Sequence, residues 1–429
     1  MPDPVRVGLL GCGNVGTAVV RLVDEHADLL AARAGVGIEI ARVAVRDVKK
    51  PRDVKLPADR FTADAASVVT DPSVDVVVEV IGGVDPAQRL ITEALEAGKP
   101  VVTANKELIA RHGPELFATA ATAGVDLLFE ASVAGGIPLM RPLRESLAGD
   151  RIRRVMGIVN GTTNFILTRM TEDGSSFDDA LAEAQRLGYA EPDPTADVEG
   201  QDAAAKAAII ATIAFGARVG YDDVYREGIT GITADDIASA SILGYVVKLL
   251  AVAEEQEGEI AVRVHPAMVP VHHPLASVRG SFNAVFIEAE AVGELMLSGR
   301  GAGGAPTASA VLGDLVDAVK NVVSGGKGAI IGDLVARPIR AIDEAEMPFY
   351  VLMEVADQPG VLAAIAGEFG RHGVSIKSME QRGIGADARL VFITHRAREA
   401  DLRATVDALR HVEAVHRVGS VLRVMGEED

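Results

Sequence analysis

The residues best suited to chemistry lie in one stretch. Residues 184–206 read Ala-Gln-Arg-Leu-Gly-Tyr-Ala-Glu-Pro-Asp-Pro-Thr-Ala-Asp-Val-Glu-Gly-Gln-Asp-Ala-Ala-Ala-Lys. Pro192 and Pro194 stiffen the first half into an extended loop, since each ring fixes its own φ and biases the preceding residue away from helix. The alanine-rich run 201–212 predicts a helix preceded by Gly200. On that helix Asp202 and Lys206 stand at i and i+4 and share a face. The loop brings Glu191 and Asp197 into the same neighbourhood. A lysine among carboxylates stays protonated, and its ammonium can give both charge and proton to a developing oxyanion. Two carboxylates match an ammonium group on a substrate. Any one of these residues would fit an ordinary surface helix beside an acidic loop; the full spacing sets them apart.

A second constellation opens the chain. Gly11-Cys12-Gly13-Asn14-Val15-Gly16 fits G-x-G-x-x-G, directly after an apolar run at 5–10 and at the start of a helical pattern. In that context the glycines let the backbone approach a pyrophosphate resting on a helix N-terminus, so all six residues are expected at a dinucleotide. The end of the second strand separates the two nicotinamide cofactors: an acid there holds a ribose 2′-hydroxyl, and an arginine accepts a 2′-phosphate. Arg46 comes first, then Asp47, Lys49 and Lys50. The basic cluster favours NADP, and Asp47 keeps NAD open.

Strands are predicted at 5–10, 38–45, 74–81, 100–104 and 125–130, with helices at 13–32, 88–97 and 113–123. Alternation of this kind predicts a doubly wound parallel sheet. Beyond 135 the pattern changes. Helices dominate 137–255, and antiparallel strands fill 259–292. A glycine-rich loop at 299–304 then precedes a helix at 307–323. After a linker-like stretch at 324–346, a small unit of strands and helices runs from 349 to 425. The balance of 48% hydrophobic and 24% charged residues is that of a globular chain long enough for two or three domains. Its 61 acids against 42 basic residues give a net charge of −19, which argues against nucleic acid and anionic membranes as partners. The single cysteine, Cys12, supports neither a disulfide framework nor a thiolate metal site. With no signal-peptide pattern and no long apolar window, a reducing cytoplasm is the expected location.

The stretch 184–206 resembles the signature of the homoserine dehydrogenase family, with alanine, glycine, aspartate–proline, aspartate, glycine, aspartate and lysine at the family's spacing. The resemblance implies NAD(P)H-dependent, reversible reduction of L-aspartate 4-semialdehyde to L-homoserine, in threonine, methionine and isoleucine biosynthesis. It makes Lys206 the proton donor to the aldehyde oxygen, with Glu191 and Asp202 holding the substrate's amino end. Thr103-Ala104-Asn105-Lys106 matches the family's asparagine–lysine, which points Lys106 at nicotinamide and substrate. Asn160-Gly161-Thr162-Thr163-Asn164 resembles the substrate loop and brings in Gly161 and Thr163. Gly299-Arg300-Gly301-Ala302-Gly303, followed by Pro306-Thr307-Ala308-Ser309-Ala310, resembles the segment returning to the cofactor domain, which places Gly303 at the cofactor.

Glu130-Ala131-Ser132-Val133-Ala134-Gly135-Gly136-Ile137 resembles the family's monovalent-cation loop. It offers one carboxylate, Glu130, and the carbonyls of Val133, Gly135 and Ile137 to a hard cation such as Na⁺; a plain domain connection reads equally well. Residues 349–425 resemble an ACT domain, a module that binds small effectors, with threonine the family-based expectation, or serves only to oligomerise. The implied organisation is a Rossmann dinucleotide-binding domain at 1–135, an α+β catalytic and dimerisation domain at 136–305, a helix returning to the Rossmann domain at 306–330, a linker at 331–346 and a ferredoxin-like ACT regulatory domain at 347–429, assembled as a homodimer or homotetramer. Two alternatives remain. One is another Rossmann-fold semialdehyde oxidoreductase; an aspartate-semialdehyde dehydrogenase would need a cysteine nucleophile in its substrate region. The other is a non-catalytic amino-acid sensor.

Overall fold

The structure, a computed structural model, describes residues 3–328, 331–332, 334–383 and 388–426. Residues 329–330 and 333, read from sequence as the end of the returning helix and part of the linker, lie outside the described residues, as do the chain ends at 1–2 and 427–429. Two compact units result. The first comprises 1–155, 205–223 and 283–337; the second comprises 156–204, 224–282 and 338–429. Among the described residues no helix is long and apolar enough to cross a membrane.

The first unit is built on a six-stranded sheet in the order Phe61–Thr62, Ile38–Ala44, Val5–Leu10, Val76–Glu79, Val101–Thr103, Leu127–Leu128. Every pairing in it is parallel, as the alternation of strands and helices required. The strand Val76–Glu79 is buried along its whole length, as a sheet covered on both faces demands. The helix Gly304–Ser324 returns to this unit: Ala308, Val311, Leu315 and Val319 join Val7, Val19 and Val78 in one apolar cluster.

Several local expectations are corrected. The first helical pattern is two helices, Asn14–Glu25 and Ala27–Ala34, broken at His26. The helix expected to begin at 113 begins at Lys106 and runs to Ala123. Gly113-Pro114 looks like a break but is absorbed, Gly113 lying close under Phe117. Within the region expected to be mainly helical lie the strands Ile152–Ile158 and Tyr245–Gln256. Gly299 and Arg300 end the strand Gly293–Arg300 rather than open a loop.

In the second unit, Tyr245–Gln256 and Glu259–Pro270 form a long antiparallel hairpin in continuous register. The C-terminal module has the order strand, helix, strand, strand, helix, strand, in Phe349–Val355, Val361–Arg371, Ile376–Arg382, Arg389–Thr394, Glu399–Leu409 and Val415–Val424. Its core gathers Phe349, Val351, Ile365, Phe369, Phe392 and Leu409. Its last strand is not an edge. Val415–Val424 pairs antiparallel with Phe349–Val355 on one side and parallel with Glu259–Pro270 on the other, through Ala267 opposite Arg423 and Met268 opposite Val424.

Candidate active site

At the dinucleotide end of the first unit, strands Val5–Leu10 and Val76–Glu79 are neighbours where the strand order reverses; open sheets bind ligands beyond the carboxyl ends of such strands. Gly11 has φ +101°, and a Cβ there would come within 2.9 Å of the Val80 carbonyl oxygen. One on Gly16 would come within 2.2 Å of the Gly11 carbonyl oxygen, whereas one on Gly13 would meet nothing within 4 Å. The outer glycines are thus required by packing, and the middle one leaves open space at the start of the helix Asn14–Glu25. That helix has Gly13 at its N-cap, no side-chain cap bond and no acid in its first turn. Free first-turn amides beside an open cradle suit a pyrophosphate.

Cys12 is buried, with Sγ 3.6 Å from Thr17 Oγ1. Gly304 of the returning helix approaches the glycine loop so closely that a Cβ would lie 2.9 Å from the Asn14 carbonyl oxygen, and Gly303 precedes it at φ +120°. Arg46 is exposed. The Asp47 carboxylate accepts from the Lys49 backbone N–H at 2.8 Å in a local turn, and Arg52 donates to the Asp47 carbonyl at 2.9 Å. Arg52 also lies over the Phe61 ring, a second guanidinium at this strand end that sequence reading did not single out.

At the end of the strand Val76–Glu79 stands another residue missed from sequence, Glu79. It is fully buried, and one oxygen accepts from the backbone N–H groups of Ile81 and Gly82 while the other accepts from Thr103 Oγ1 at 2.6 Å. Burial raises its pKa against the pull of these donors. Thr103 Oγ1 in turn accepts from the Asn105 amide, and Asn105 caps the helix by accepting from Leu108 N and donates to the Gly83 carbonyl at 2.7 Å. This chain of bonds fixes the loop that presents Lys106, the first residue of its helix and half-buried. The available signal was an acid ending an all-valine strand.

In the loop after Leu127–Leu128, the Glu130 carboxylate accepts from the backbone N–H groups of Leu139, Met140 and Arg141. With these three bonds that side chain caps the turn that follows. Val133, Gly135 and Ile137 are buried, and no hydrogen bond to their carbonyls is found among the described residues. The turn is tight, with Ala134 at φ +55° and Gly135 at +57°. Asp314 of the returning helix anchors it, accepting from the Glu130 backbone N–H and from Arg141, each at 2.8 Å.

The second unit gathers the acids. Asn160 N-caps the helix Gly161–Asp173, its Oδ1 accepting from Thr163 N at 2.9 Å. Its Nδ2 donates to Asp197 Oδ1 at 2.6 Å and to Asp202 Oδ2 at 2.9 Å. One amide thus clamps two of the predicted carboxylates together. Thr163 is buried, its amide donating to Asn160 Oδ1 and its hydroxyl to the Asn160 carbonyl. Asp202 lies near the start of Gln201–Phe215, after Gly200 at φ +76°, and Lys206 follows one turn later; both are buried. Glu191 is exposed on the proline loop, where its carbonyl accepts from Gln185.

A family model described as homoserine dehydrogenase matches 138–316, its NAD-binding domain matches 11–130, and an ACT domain matches 349–414. A homoserine dehydrogenase of Corynebacterium glutamicum is 52% identical over 98% of this chain and 95% of its own length. The chain belongs to the homoserine dehydrogenase family. The structure of a homoserine dehydrogenase from Thiobacillus denitrificans superposes with a TM-score of 0.93 at 40% identity, covering 99% of this chain and 98% of that one. A hyperthermophilic archaeal homoserine dehydrogenase in complex with NADPH matches at 0.61 and 30% identity, over 73% of this chain and 97% of its own. Within the family's NAD-binding domain, the open cradle at Gly13 and the uncapped helix start fit the dinucleotide.

Proposed function

We propose that the chain reduces L-aspartate 4-semialdehyde to L-homoserine with NADPH, reversibly, and that the pair of carboxylates clamped by Asn160, one turn before a buried lysine, is the centre of substrate recognition. Asp202 and Glu191 bind the substrate ammonium, and Asp197 holds the clamp in register. The bound nicotinamide supplies a hydride to the aldehyde carbon. Negative charge then grows on the aldehyde oxygen, and Lys206 neutralises and protonates it. Lys106 assists at the oxygen or the cofactor. Arg46, with Arg52 beside it, accepts the 2′-phosphate, a reading supported by the Asp47 carboxylate's bond to the Lys49 backbone N–H. Glu130 with the carbonyls of Val133, Gly135 and Ile137 would hold a monovalent cation such as Na⁺. The C-terminal module regulates the enzyme by binding an amino acid, threonine being the first to try, and the enzyme works as a homo-oligomer. The test is the loss of NADPH absorbance on adding aspartate 4-semialdehyde; a purified protein with no such turnover rules the reading out.

A further inference from the structure

Glu79 is a buried acid without a counter-charge. Its partners are the backbone N–H groups of Ile81 and Gly82 and the hydroxyl of Thr103; all three donate and none is charged. No lysine, arginine or histidine pairs with it among the described residues. Other buried acids are answered, Asp314 by Arg141 and Glu399 by Arg423. Burial pushes the pKa of Glu79 up, and the donated bonds pull it down. Three donors in contact suit the carboxylate form. A buried charge is costly unless something of opposite sign meets it.

The strand order indicates what meets this charge. The glycine loop follows Val5–Leu10 and takes the pyrophosphate. Arg46 follows Ile38–Ala44 on one side of it, so the adenosine half of a dinucleotide lies on that side. The nicotinamide half then extends to the other side, over the ends of Val76–Glu79 and Val101–Thr103. The turn after Glu79 leaves room for it: Gly82 and Gly83 have φ +72° and +73°, and a Cβ on either would meet nothing within 4 Å. Asn105 braces the same turn by donating to the Gly83 carbonyl at 2.7 Å. The carboxylate lies behind the backbone of this turn, where it acts through space rather than by contact. A nicotinamide ring is neutral when reduced and positively charged when oxidised. Hydride loss therefore creates a cation at the sheet end where Glu79 holds an anion, and only the oxidised form gains from the attraction.

We propose that Glu79 sets the redox preference of the cofactor site: its unpaired charge strengthens binding of the oxidised, cationic nicotinamide and leaves binding of the reduced form nearly unchanged. The proposal rests on the dinucleotide reading of this end of the sheet and adds a residue that separates two forms of one cofactor. The experiment uses the full chain without substrate. NADPH binding is followed by its fluorescence, and NADP⁺ binding by displacement of NADPH. Glu79→Gln removes the charge and keeps a carbonyl oxygen for the amides of Ile81 and Gly82. NADP⁺ affinity should fall about three- to tenfold, while NADPH affinity changes by less than about twofold. Ile81→Lys leaves Glu79 in place and sets a cation beside it, at a half-buried position. It should lower the preference for NADP⁺ over NADPH in the same sense. Thr103→Val keeps the charge but loosens the turn, so both forms should weaken by the same factor. Equal weakening of both forms by Glu79→Gln means that Glu79 only braces the turn; this overturns the proposal and leaves the dinucleotide reading standing. Should Glu79→Gln not fold, an unchanged ratio in Ile81→Lys overturns the proposal as well. A wild type that binds neither form overturns the dinucleotide reading and the proposal with it.

Discussion

The dinucleotide end of the first unit and the acidic cluster of the second, the proposed substrate site, are built by opposite means. The first is built from backbone: glycines that permit close approach, uncapped amides at a helix start and open space at Gly13. The second is built from side chains, two carboxylates held by a single amide. A backbone site is sensitive to added atoms and nearly indifferent to pH. A side-chain site is sensitive to lost atoms and tied to ionisation. The contrast teaches where one substitution should stop the chemistry, where it should weaken a ligand and where it should unsettle the fold.

The largest effect is expected at Lys206. Lys206→Ala should lower turnover about 100- to 10,000-fold, the range for losing a positioned proton donor, while NADPH binding followed by fluorescence stays near wild type. Near-normal turnover would transfer the role to Lys106. The glycine loop should separate packing from binding. Gly16→Ala, pressed against the Gly11 carbonyl, should destabilise the protein by about 1–3 kcal/mol in denaturant titration. Gly13→Ala should leave stability intact and weaken NADPH instead; if both variants behave alike, the division between packing and binding glycines is wrong.

On the side-chain half, Asn160→Ala releases both carboxylates and one helix cap. The Michaelis constant for aspartate 4-semialdehyde should rise about tenfold, with the NADPH constant unchanged. A rise confined to NADPH would place Asn160 on the wrong half. Arg46→Ala should raise the NADPH constant several-fold more than that for NADH, about what one charge-assisted contact supplies; equal effects would take Arg46 out of cofactor choice.

The smallest expected effect concerns pH. Lys248 is buried, donates to Asn164 Oδ1 at 2.9 Å and to the Val278 carbonyl at 2.5 Å, and is pushed down to about 8 by burial. Between that value and the ordinary value of 10.5 the unfolded chain binds more protons than the folded one. This group therefore makes stability rise as pH climbs through that window. Lys248→Met should flatten the rise, as read by denaturant titration across the same range.

Much of both halves was legible because each motif carries its own context. The glycine loop follows a strand and opens a helix, and the acid–lysine stretch sits on a helix whose i, i+4 spacing can be counted. The failures have physical causes. The run Val-Val-Lys-Leu-Leu-Ala-Val-Ala in Tyr245–Gln256 is apolar on both faces, and periodicity alone does not separate a buried strand from a helix. Gly113-Pro114 looks like a helix end and is tolerated by packing. The pairing of Ala267 with Arg423 joins segments far apart in the chain, and such pairings leave no local signature.

That last pairing bears on how the protein is made. Val415–Val424 lies inside its sheet, between Glu259–Pro270 and Phe349–Val355, and it leaves the ribosome well after the hairpin it covers. Until it emerges, the hairpin completed far earlier in synthesis waits with an unpaired edge, the kind of surface that recruits other chains. A chain that lacks Val415–Val424 loses an interior strand and Arg423 with it, and leaves the hairpin's edge open.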